Sequence, residues 1–473
     1  MTALPRALAP LRYRYYRLLA ASMALSLTAA GLWAVAVVWQ VVALGGGPAS
    51  LSLVTGLSAG GMLVSTLFGG VLADRVPQRH LLLTVALVQA GAVAVVAALS
   101  LADVLALWQL AVTGLAVGLA TGLYYPAYSA QLPALVPEGD LLAANGLEGA
   151  VRPLLQNAAG PTAAGFLVAA LSPGAALTAT AAVSLLSAAY VLALPVTPVR
   201  RETTADGAVP TGVMTDLREG FSYMVRTPWL LATLLFASLL VLAFLGPLEV
   251  LVPFAIRDAG GGPTQHAYVL AAFGIGGAVG SLAVASLRLP RRYLTVMLLL
   301  WGLGCVPMVV FGLTTSLWLM VAAGALIGAT FEAGSVIWGT LLQRRVPPSL
   351  LGRVSSLDFF VSLSLMPLSM ALAGPVSGLI GPTATFCVAG LAPAVLAVVA
   401  LLAARLPADE VAHPLDDRPP GGPAAGTAAG AGVPPAPRPH LVPGRDPCEH
   451  SSTSSPPRST AASPGTTATS RPC

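Results

Sequence analysis

Residues 69–79 read Gly69-Gly70-Val71-Leu72-Ala73-Asp74-Arg75-Val76-Pro77-Gln78-Arg79, a short charged turn between two long apolar runs. Such a turn lies at a membrane surface, because its charges need water and its flanks need lipid. The glycines let two helices approach closely. Asp74 accepts hydrogen bonds from arginine or from helix N-terminal amides, and Arg75 and Arg79 anchor the turn on the cytoplasmic side. The stretch predicts membrane-spanning helices joined by short turns.

Composition extends this prediction to the whole chain. Hydrophobic residues make up 56% of the sequence and charged residues only 9%, with a mean hydropathy of +0.81. A soluble globular chain carries roughly a quarter charged residues, so this is a polytopic membrane protein. The net charge of +5 is modest and argues against a nucleic-acid partner.

No enzymatic motif accompanies the apolar runs. The chain has no glycine-rich phosphate loop that ends in Lys and Ser or Thr, so ATP-driven chemistry within it is not expected. We assign the five histidines to loops or to the tail, and the four cysteines fall singly, so we expect no metal, cofactor or disulfide framework. These residues are His80, His266, His413, His440 and His450, and Cys305, Cys387, Cys448 and Cys473.

Apolar runs long enough to cross the membrane predict an all-α protein with twelve transmembrane helices. A hydrocarbon core of about 30 Å needs roughly 20 helical residues. The runs lie near residues 20–43, 51–73, 81–101, 106–130, 150–171, 174–195, 229–255, 266–287, 293–313, 316–341, 355–379 and 383–404.

Arginine placement predicts the orientation. Translocated loops are poor in positive charge, and with both termini in the cytoplasm only Arg257 would lie outside. The arginines of the segments assigned to the cytoplasm are Arg6, Arg12, Arg14, Arg17, Arg75, Arg79, Arg152, Arg200, Arg201, Arg218, Arg226, Arg288, Arg291, Arg292, Arg344, Arg345 and Arg353. We therefore expect a multi-pass protein of the cell membrane.

The apolar runs divide the chain into two six-helix halves, residues 1–195 and 229–404. Between them, residues 196–228 form a cytoplasmic loop, and its apolar positions 217, 221, 224 and 225 suit an amphipathic helix on the inner membrane face. Residues 405–473 are rich in Pro, Gly, Ala, Ser and Thr and lack aromatic residues, which predicts a disordered cytoplasmic tail.

Internal repetition supports two halves. Arg75-x-Pro77-x-Arg79 recurs as Arg288-x-Pro290-x-Arg292, without the aspartate. The series Val136-Pro137, Glu148 and Gly160-Pro161-x-x-x-Gly165 is echoed by Val346-Pro347, Asp358 and Gly374-Pro375-x-x-Gly378. Parallel repeats of this kind build two-lobed transporters. The alternative is that Gly-Pro and arginine-rich turns recur in any membrane protein.

The turn at residues 69–79 resembles the loop between helices 2 and 3 of the major facilitator superfamily. A second stretch, residues 125–137 followed by Ala144-Asn145, is similar to the enterobactin-exporter and macrolide-efflux branch of this superfamily, the third drug:proton antiporter group. It reads Tyr125-Pro126-Ala127-Tyr128-Ser129-Ala130-Gln131-Leu132-Pro133-Ala134-Leu135-Val136-Pro137. The likeness runs from about residue 10 to 404. Pro77 replaces an expected glycine, residues 26–31 lack an acid that many relatives carry, and Ala164 replaces a frequent glycine.

This resemblance implies a substrate site between the two lobes near the bilayer midplane, reached by alternating access. It also implies that Asp74 meets Arg353 on the inner end of helix 11, where an ion pair would hold the cytoplasmic side closed. Arg75 and Arg79 belong to the same gate, and Gly160, Pro161 and Gly165 to a hinge in helix 5. The alternative for Asp74 is an ordinary surface salt bridge worth under about 1 kcal/mol.

Ionisable residues within the spans are the candidates for proton or substrate coupling, because a buried carboxylate is costly unless it is paired or protonated. Glu332 and Glu249 are the two we select. Alternatively, Glu249 pairs with Arg257 or with backbone freed at a proline kink, and Glu332 makes a structural hydrogen bond between helices. The spacings of Glu148 to Arg152 and of Arg353 to Asp358 allow pairing within a helix.

The leading hypothesis is a monomeric secondary transporter that exports a small hydrophobic or amphipathic compound in exchange for protons. An uncoupled or uptake carrier of the same fold is the alternative, and a membrane scaffold or sensor that acts through the tail is a third. The residues that we select as candidates for lining the substrate cavity carry an aromatic ring or an amide. The alternative is that the aromatic residues pack between helices or anchor the chain at the membrane interface, which is their more frequent role at helical spacing. They are Trp33, Trp39, Gln40, Tyr124, Tyr125, Tyr128, Gln156, Asn157, Phe331 and Trp338.

Overall fold

The computed structural model describes residues 6–196, 213–287 and 289–415, and every regular element in them is helical. Within helices it leaves some side chains outside the description, among them those of Asp74, Arg75 and Arg353. The first half contains α1 (Arg14–Ala43), α2 (Pro48–Arg75), α3 (Gln78–Leu101), α4 (Leu107–Leu135), α5 (Glu138–Arg152), a π-helical segment (Pro153–Ala159), α6 (Gly160–Ala170) and α7 (Pro173–Leu192).

The second half follows the same plan after an additional helix. It contains α8 (Val213–Arg226), α9 (Pro228–Gly246), a π-helical segment (Pro247–Leu251), α10 (Val252–Asp258), α11 (Pro263–Ser286), α12 (Tyr293–Gly304), a 3-10 turn (Val306–Met308), α13 (Val309–Leu313), α14 (Leu317–Arg345), α15 (Pro348–Leu363), α16 (Met366–Ile380), α17 (Pro382–Ala403) and α18 (Leu406–Ala412).

Eleven helical stretches of the described chain are long and apolar enough to cross a membrane. They coincide with eleven of the twelve predicted runs, and the predicted fifth run, residues 150–171, is absent from this set. That region is helical from α5 through α6, but Glu148, Arg152, Gln156 and Asn157 lower its hydropathy. The exact number of twelve therefore stays a prediction.

Small residues bring the helices of each half close together. In the first half Gly118 of α4 packs on the backbone of Ser58 in α2, where a side chain on Gly118 would clash. In the second half Gly276 of α11 packs in the same way on the backbone of Ala325 in α14. Glycine at such crossings lets helix backbones approach in a membrane, where packing rather than hydrophobicity drives association. Both halves thus use equivalent crossings, α2 with α4 and α11 with α14.

The bundle has two ends, which we name after a residue in a turn at each. At the Gly46 end, Ser100 Oγ donates to Gln40 Oε1 (2.8 Å), joining the end of α3 to the end of α1. At the Arg79 end, Arg79 Nη2 donates to the Leu192 carbonyl (2.6 Å), joining the start of α3 to the end of α7. Helix α3 therefore runs from the Arg79 end to the Gly46 end.

The two segments predicted to flank the second half are helical where the structure describes them. Helix α8 occupies the later part of the connecting loop, with Phe221 and Val225 exposed and Met224 buried. Helix α18 lies in the segment predicted as a disordered tail, and its Leu406 and Glu410 are buried. Order therefore continues beyond residue 405, while residues 197–212 and 416–473 lie outside the described residues.

Candidate functional site

The first and second halves meet along two seams, both in the parts of the helices next to the Gly46 end. In the first seam, α2 lies against α16, and the Gly374 amide donates to Ser52 Oγ at 2.7 Å. A Cβ on Gly374 would lie 2.5 Å from the Pro48 carbonyl oxygen, and one on Gly56 would lie 3.1 Å from Ala371 Cβ. The two helices are therefore in direct backbone contact.

In the second seam, α6 and the π-helical segment before it lie against α11. A Cβ on Gly165 would lie 2.8 Å from the Pro263 carbonyl oxygen, and one on Gly274 would lie 3.1 Å from the Asn157 backbone. The predicted hinge residue Gly165 is therefore part of this contact between halves. Gly160 and Pro161 contact Gly31 of α1 instead, which keeps them within the first half.

A histidine lies in the same region and corrects one prediction. His266 is buried in α11 with its ring centroid 6.5 Å from that of Trp39 in α1. Neither His266 Nδ1 nor Trp39 Nε1 has a hydrogen-bond partner. The assignment of all histidines to loops or tail was wrong for His266, and also for His80 in α3, because a single polar residue does not interrupt an apolar helical run.

At the Arg79 end, the described contacts of α5 and α15 are with helices of their own halves. Helix α5 packs on the N-terminal 3-10 helix (Arg6–Arg12), on α1 and on α4. Helix α15 packs on α8, α9 and α14. The repeated contacts between the halves, in the part of the chain that the structure describes, therefore involve the Gly46 side of the bundle.

A charged pair lies in the first half. Arg152 forms an ion pair with Glu148 one turn earlier, as the sequence predicted, and Glu148 is buried. The Arg152 guanidinium also lies 5.7 Å from the centre of the exposed Tyr125 ring. Tyr124 and Tyr128 stack beside this pair with ring centroids 6.0 Å apart. The cluster combines a neutralised carboxylate with aromatic faces.

The second half holds a related arrangement around Asp358, without a basic partner among the described side chains. Its carboxylate accepts hydrogen bonds from Trp338 Nε1 (3.0 Å) and Ser362 Oγ (3.2 Å). Asp358 follows Pro347 by 11 positions, as Glu148 follows Pro137, and Trp338 precedes Pro347 by nine, as Tyr128 precedes Pro137. The repeat therefore makes Glu148 and Asp358 equivalent. Sequence reasoning had assigned Asp358 only to Arg353, and this register of the repeat was the signal for the Trp338 contact.

The two selected carboxylates lie apart, and neither has the partner that a structural role requires. Glu332 is half-buried in α14, where its side chain lies against Gly277 of α11. Glu249 is exposed in the π-helical segment, while its neighbours Pro247 and Val250 are buried. No described side chain bonds to either carboxylate, and Arg257 pairs with Asp258 (3.2 Å) rather than with Glu249.

The predicted gate is described only in part. Arg79 reaches the end of α7, so it fixes the turn after α2 to the first half. Asp74 and Arg75 end α2, and Arg353 lies in α15, but their side chains are outside the described residues. The ion pair between Asp74 and Arg353 stays a prediction.

The comparisons with known proteins agree with this architecture. A family profile of the major facilitator superfamily, described as "transmembrane secretion effector", matches residues 5–420. The chain belongs to this family. Members of the superfamily are transporters and not enzymes, so the chain is a multi-pass membrane transporter.

Among the relatives of this chain, the multidrug efflux pump Tap of Mycolicibacterium fortuitum is 29% identical over 385 residues, which are 80% of this chain and 92% of Tap. The enterobactin exporter EntS of Escherichia coli is 28% identical over 389 residues, 80% of this chain and 89% of EntS. Both relatives are matched over nearly their whole length.

Solved structures show the same fold at low identity. The nucleoside transporter NupG is 14% identical with a TM-score of 0.64, and the match covers 82% of this chain and 98% of NupG. A bacterial homologue of the human lysosomal transporter Spinster is 16% identical with a TM-score of 0.61, over 84% of this chain and 98% of the homologue.

The predicted cavity-lining residues are divided between buried, half-buried and exposed positions. Trp39, Gln40 and Tyr128 are buried. Trp338 is half-buried, and its indole nitrogen donates a hydrogen bond to Asp358. Tyr125 is 57% exposed. The others are half-buried, namely Trp33, Tyr124, Gln156, Asn157 and Phe331.

Proposed function

We propose that the chain is a proton-driven exporter of small hydrophobic or amphipathic compounds that works by alternating access. Its two lobes are residues 1–195 and 229–404, joined by the loop 196–228, and residues 150–171 complete the set of twelve spans. Both termini lie in the cytoplasm and the protein acts as a monomer. Arginines concentrated at the Arg79 end support this orientation, because cytoplasmic loops retain positive charge.

One observation carries the alternating-access proposal. The halves are in backbone contact at Gly374 and Gly165 near the Gly46 end, whereas α5 and α15 pack within their own halves at the Arg79 end. A carrier whose halves are in backbone contact at one end needs a second arrangement, open at that end, to move a substrate across the membrane. In that second arrangement Asp74 and Arg353 would close the Arg79 end, with Arg75 and Arg79 supporting the turn.

The carboxylates support proton coupling. Glu332, Glu249 and Asp358 belong to membrane-spanning helical stretches, and no described cationic side chain pairs with them. A carboxylate inside a membrane protein is costly when charged and unpaired, so its proton occupancy depends on which side of the bundle is open to water. This dependence links proton movement to the two arrangements.

The names of the relatives support export of a small molecule. Tap is a multidrug efflux pump and EntS an enterobactin exporter. We infer the same direction for this chain and a substrate without a fixed charge pattern, because aromatic rings of α4 such as Tyr124 and Tyr125 lie beside the ion-paired Arg152.

One observation favours the alternative of an uncoupled or uptake carrier. In α1, where many relatives carry an acid, Ser22 and Ser26 each lie within hydrogen-bond distance (3.0 and 2.9 Å) of Ser187 Oγ in α7. A serine cluster binds no proton that could be exchanged. If the transport is nevertheless coupled to protons, the coupling has to rest on the carboxylates of the second half.

The test is accumulation of hydrophobic dyes and antibiotics in cells that make the wild type, Asp74→Asn or Glu332→Gln, with and without a protonophore. Asp103→Asn serves as the control, because Asp103 is an exposed acid in a turn. We expect the wild type and the control to lower accumulation only while the proton gradient is present, and the other two variants to lose this effect. Wild-type efflux that survives the protonophore would instead establish an uncoupled carrier, and raised accumulation would establish uptake.

A further inference from the structure

A cavity of about 590 Å³ lies at the Arg79 end of the second half, separate from the site described above. It opens between the end of α8, the start of α9, the end of α14 and α18. Its lining includes Arg226, Arg344, Arg345 and His413, against the single carboxylate of Asp409. The cavity therefore carries an excess of positive charge.

One wall of this cavity is fixed by a buried cap. Glu410 of α18 is 1% exposed, and its carboxylate accepts from the amides of Leu294 (2.9 Å) and Thr295 (3.1 Å) at the first turn of α12. The Tyr293 hydroxyl donates to the His413 carbonyl at 2.8 Å. A carboxylate at a helix N-terminus satisfies donors that have no partner inside the helix. The segment from α18 to Leu415 is thus held against α12.

The arginines of the cavity have different roles. Arg345 forms an ion pair with Asp409 (2.6 Å), and its guanidinium lies 4.5 Å from the centre of the Trp229 ring. Arg345 is thereby neutralised and held in place. Arg226 and Arg344 are exposed, and no described carboxylate pairs with them. These two side chains are free to bind an anion.

The position of the cavity indicates which anion. Pro228 begins one candidate membrane span and Arg345 ends another, so the cavity lies at the edge of the bilayer. Helix α8 beside it exposes Phe221 and Val225, apolar side chains that suit the interfacial layer. The planar guanidinium of arginine binds phosphate oxygens through two parallel hydrogen bonds, and lipid headgroups supply phosphate at this depth.

We propose that this cavity binds the phosphate headgroup of an anionic phospholipid of the cytoplasmic leaflet, through Arg226 and Arg344. The headgroup phosphate lies between the two guanidinium groups, and the acyl chains follow the apolar face of α8 into the membrane. Arg345 and Asp409 form the floor of the site. Each arginine near an anionic surface contributes about fivefold to binding, and the pair about 25-fold.

The test is native mass spectrometry of the purified full chain with phosphatidylglycerol or phosphatidylcholine. The variant is Arg226→Gln with Arg344→Gln. The matched control is Arg291→Gln with Arg292→Gln, which removes two exposed arginines from the same end but outside the cavity. Thermal unfolding of each variant verifies folding, and inorganic phosphate is added as a competitor to separate a lipid headgroup from free phosphate.

We expect the wild type and the control to retain phosphatidylglycerol in preference to phosphatidylcholine, and the cavity variant to bind it about 25-fold more weakly. Equal weakening by the control would mean that general surface charge holds the lipid, and would overturn the proposal. Displacement of the lipid by millimolar inorganic phosphate would make the ligand a soluble phosphate and would also overturn it. The measurement does not depend on transport, so it stands apart from the proposed export activity.

Discussion

Replacing Gly374 with alanine should open the Gly46 end of the bundle. Gly374 lies where α16 crosses α2, and an added Cβ would lie 2.5 Å from the Pro48 carbonyl oxygen and 2.6 Å from the Ala49 nitrogen. Both are backbone atoms, so no side chain can turn away to make room. The methyl group must push the two helices apart, and this weakens the bond from the Gly374 amide to Ser52 Oγ, now 2.7 Å long.

The size of the effect follows from these two contacts. Forcing an extra carbon into a packed contact costs about 1 to 3 kcal/mol. Losing a buried hydrogen bond costs about 1 kcal/mol. The arrangement closed at the Gly46 end should therefore lose about 2 to 4 kcal/mol relative to an arrangement in which α2 and α16 are apart, a shift of about 30- to 700-fold in their ratio. If the wild type favours the arrangement closed at the Gly46 end by less than this free energy, the variant should mainly populate the arrangement in which α2 and α16 are apart.

Spin-label distances between the halves measure this shift directly. Labels at Leu101 and Leu379, 60% and 84% exposed near the Gly46 end, report its width in a background without the native cysteines. Gly378→Ala is the control, because a Cβ there meets nothing within 4 Å. We expect Gly374→Ala to move the distance distribution to longer values and the control to leave it unchanged. Identical distributions for the two variants would refute the reasoning that backbone contact holds this end closed.

Three further predictions concern other parts of the molecule. Trp338→Phe removes the hydrogen-bond donor to Asp358 but keeps an aromatic ring, so gradient-dependent dye efflux should fall about tenfold or more. The control is Trp318→Phe, at a 74% exposed position of the same helix, which should leave efflux unchanged. Glu410→Ala leaves three donors at the start of α12 without an acceptor and should lower the free energy of unfolding by about 2 to 4 kcal/mol, measured as a lower Tm. His266→Phe replaces a buried ring that has an unsatisfied nitrogen, so Tm should stay the same or rise, and a fall in Tm would show that the imidazole makes a required contact.

Much of the fold was predictable because hydropathy and arginine placement act over long windows. Eleven predicted runs reappear as candidate spans, and the segment that fails, residues 150–171, is the one that carries Arg152, Gln156 and Asn157. Its polar residues belong to an irregular helix, because Pro153 begins a π-helical segment that contacts α11. Periodicity alone does not reveal such a segment, since its hydrogen-bond register differs from that of an α-helix.

The candidate site was predictable where interactions are local. Glu148 and Arg152 are four residues apart on one helix, and their pairing follows from that spacing. The bond from Trp338 to Asp358 joins two helices, and so does the contact of Trp39 with His266. Contacts of this kind depend on which faces of two helices meet, which a single sequence does not specify. The register of the internal repeat was the available signal for Asp358, because it aligns this residue with Glu148.

The two ends of the bundle differ in chemistry, and this difference bears on how the proposed export could be driven. At the Gly46 end the halves meet through Gly374, Gly165 and neighbouring backbone, contacts that neither salt nor protons alter. The Arg79 end holds arginines and the residues Asp74 and Arg353, whose proposed ion pair would depend on charge. Protonation can therefore act on closure at the Arg79 end and on the carboxylates between the ends. The energy of a proton gradient would thus bias the arrangement closed at the Arg79 end, while helix packing and the bond from the Gly374 amide to Ser52 stabilise the arrangement closed at the Gly46 end.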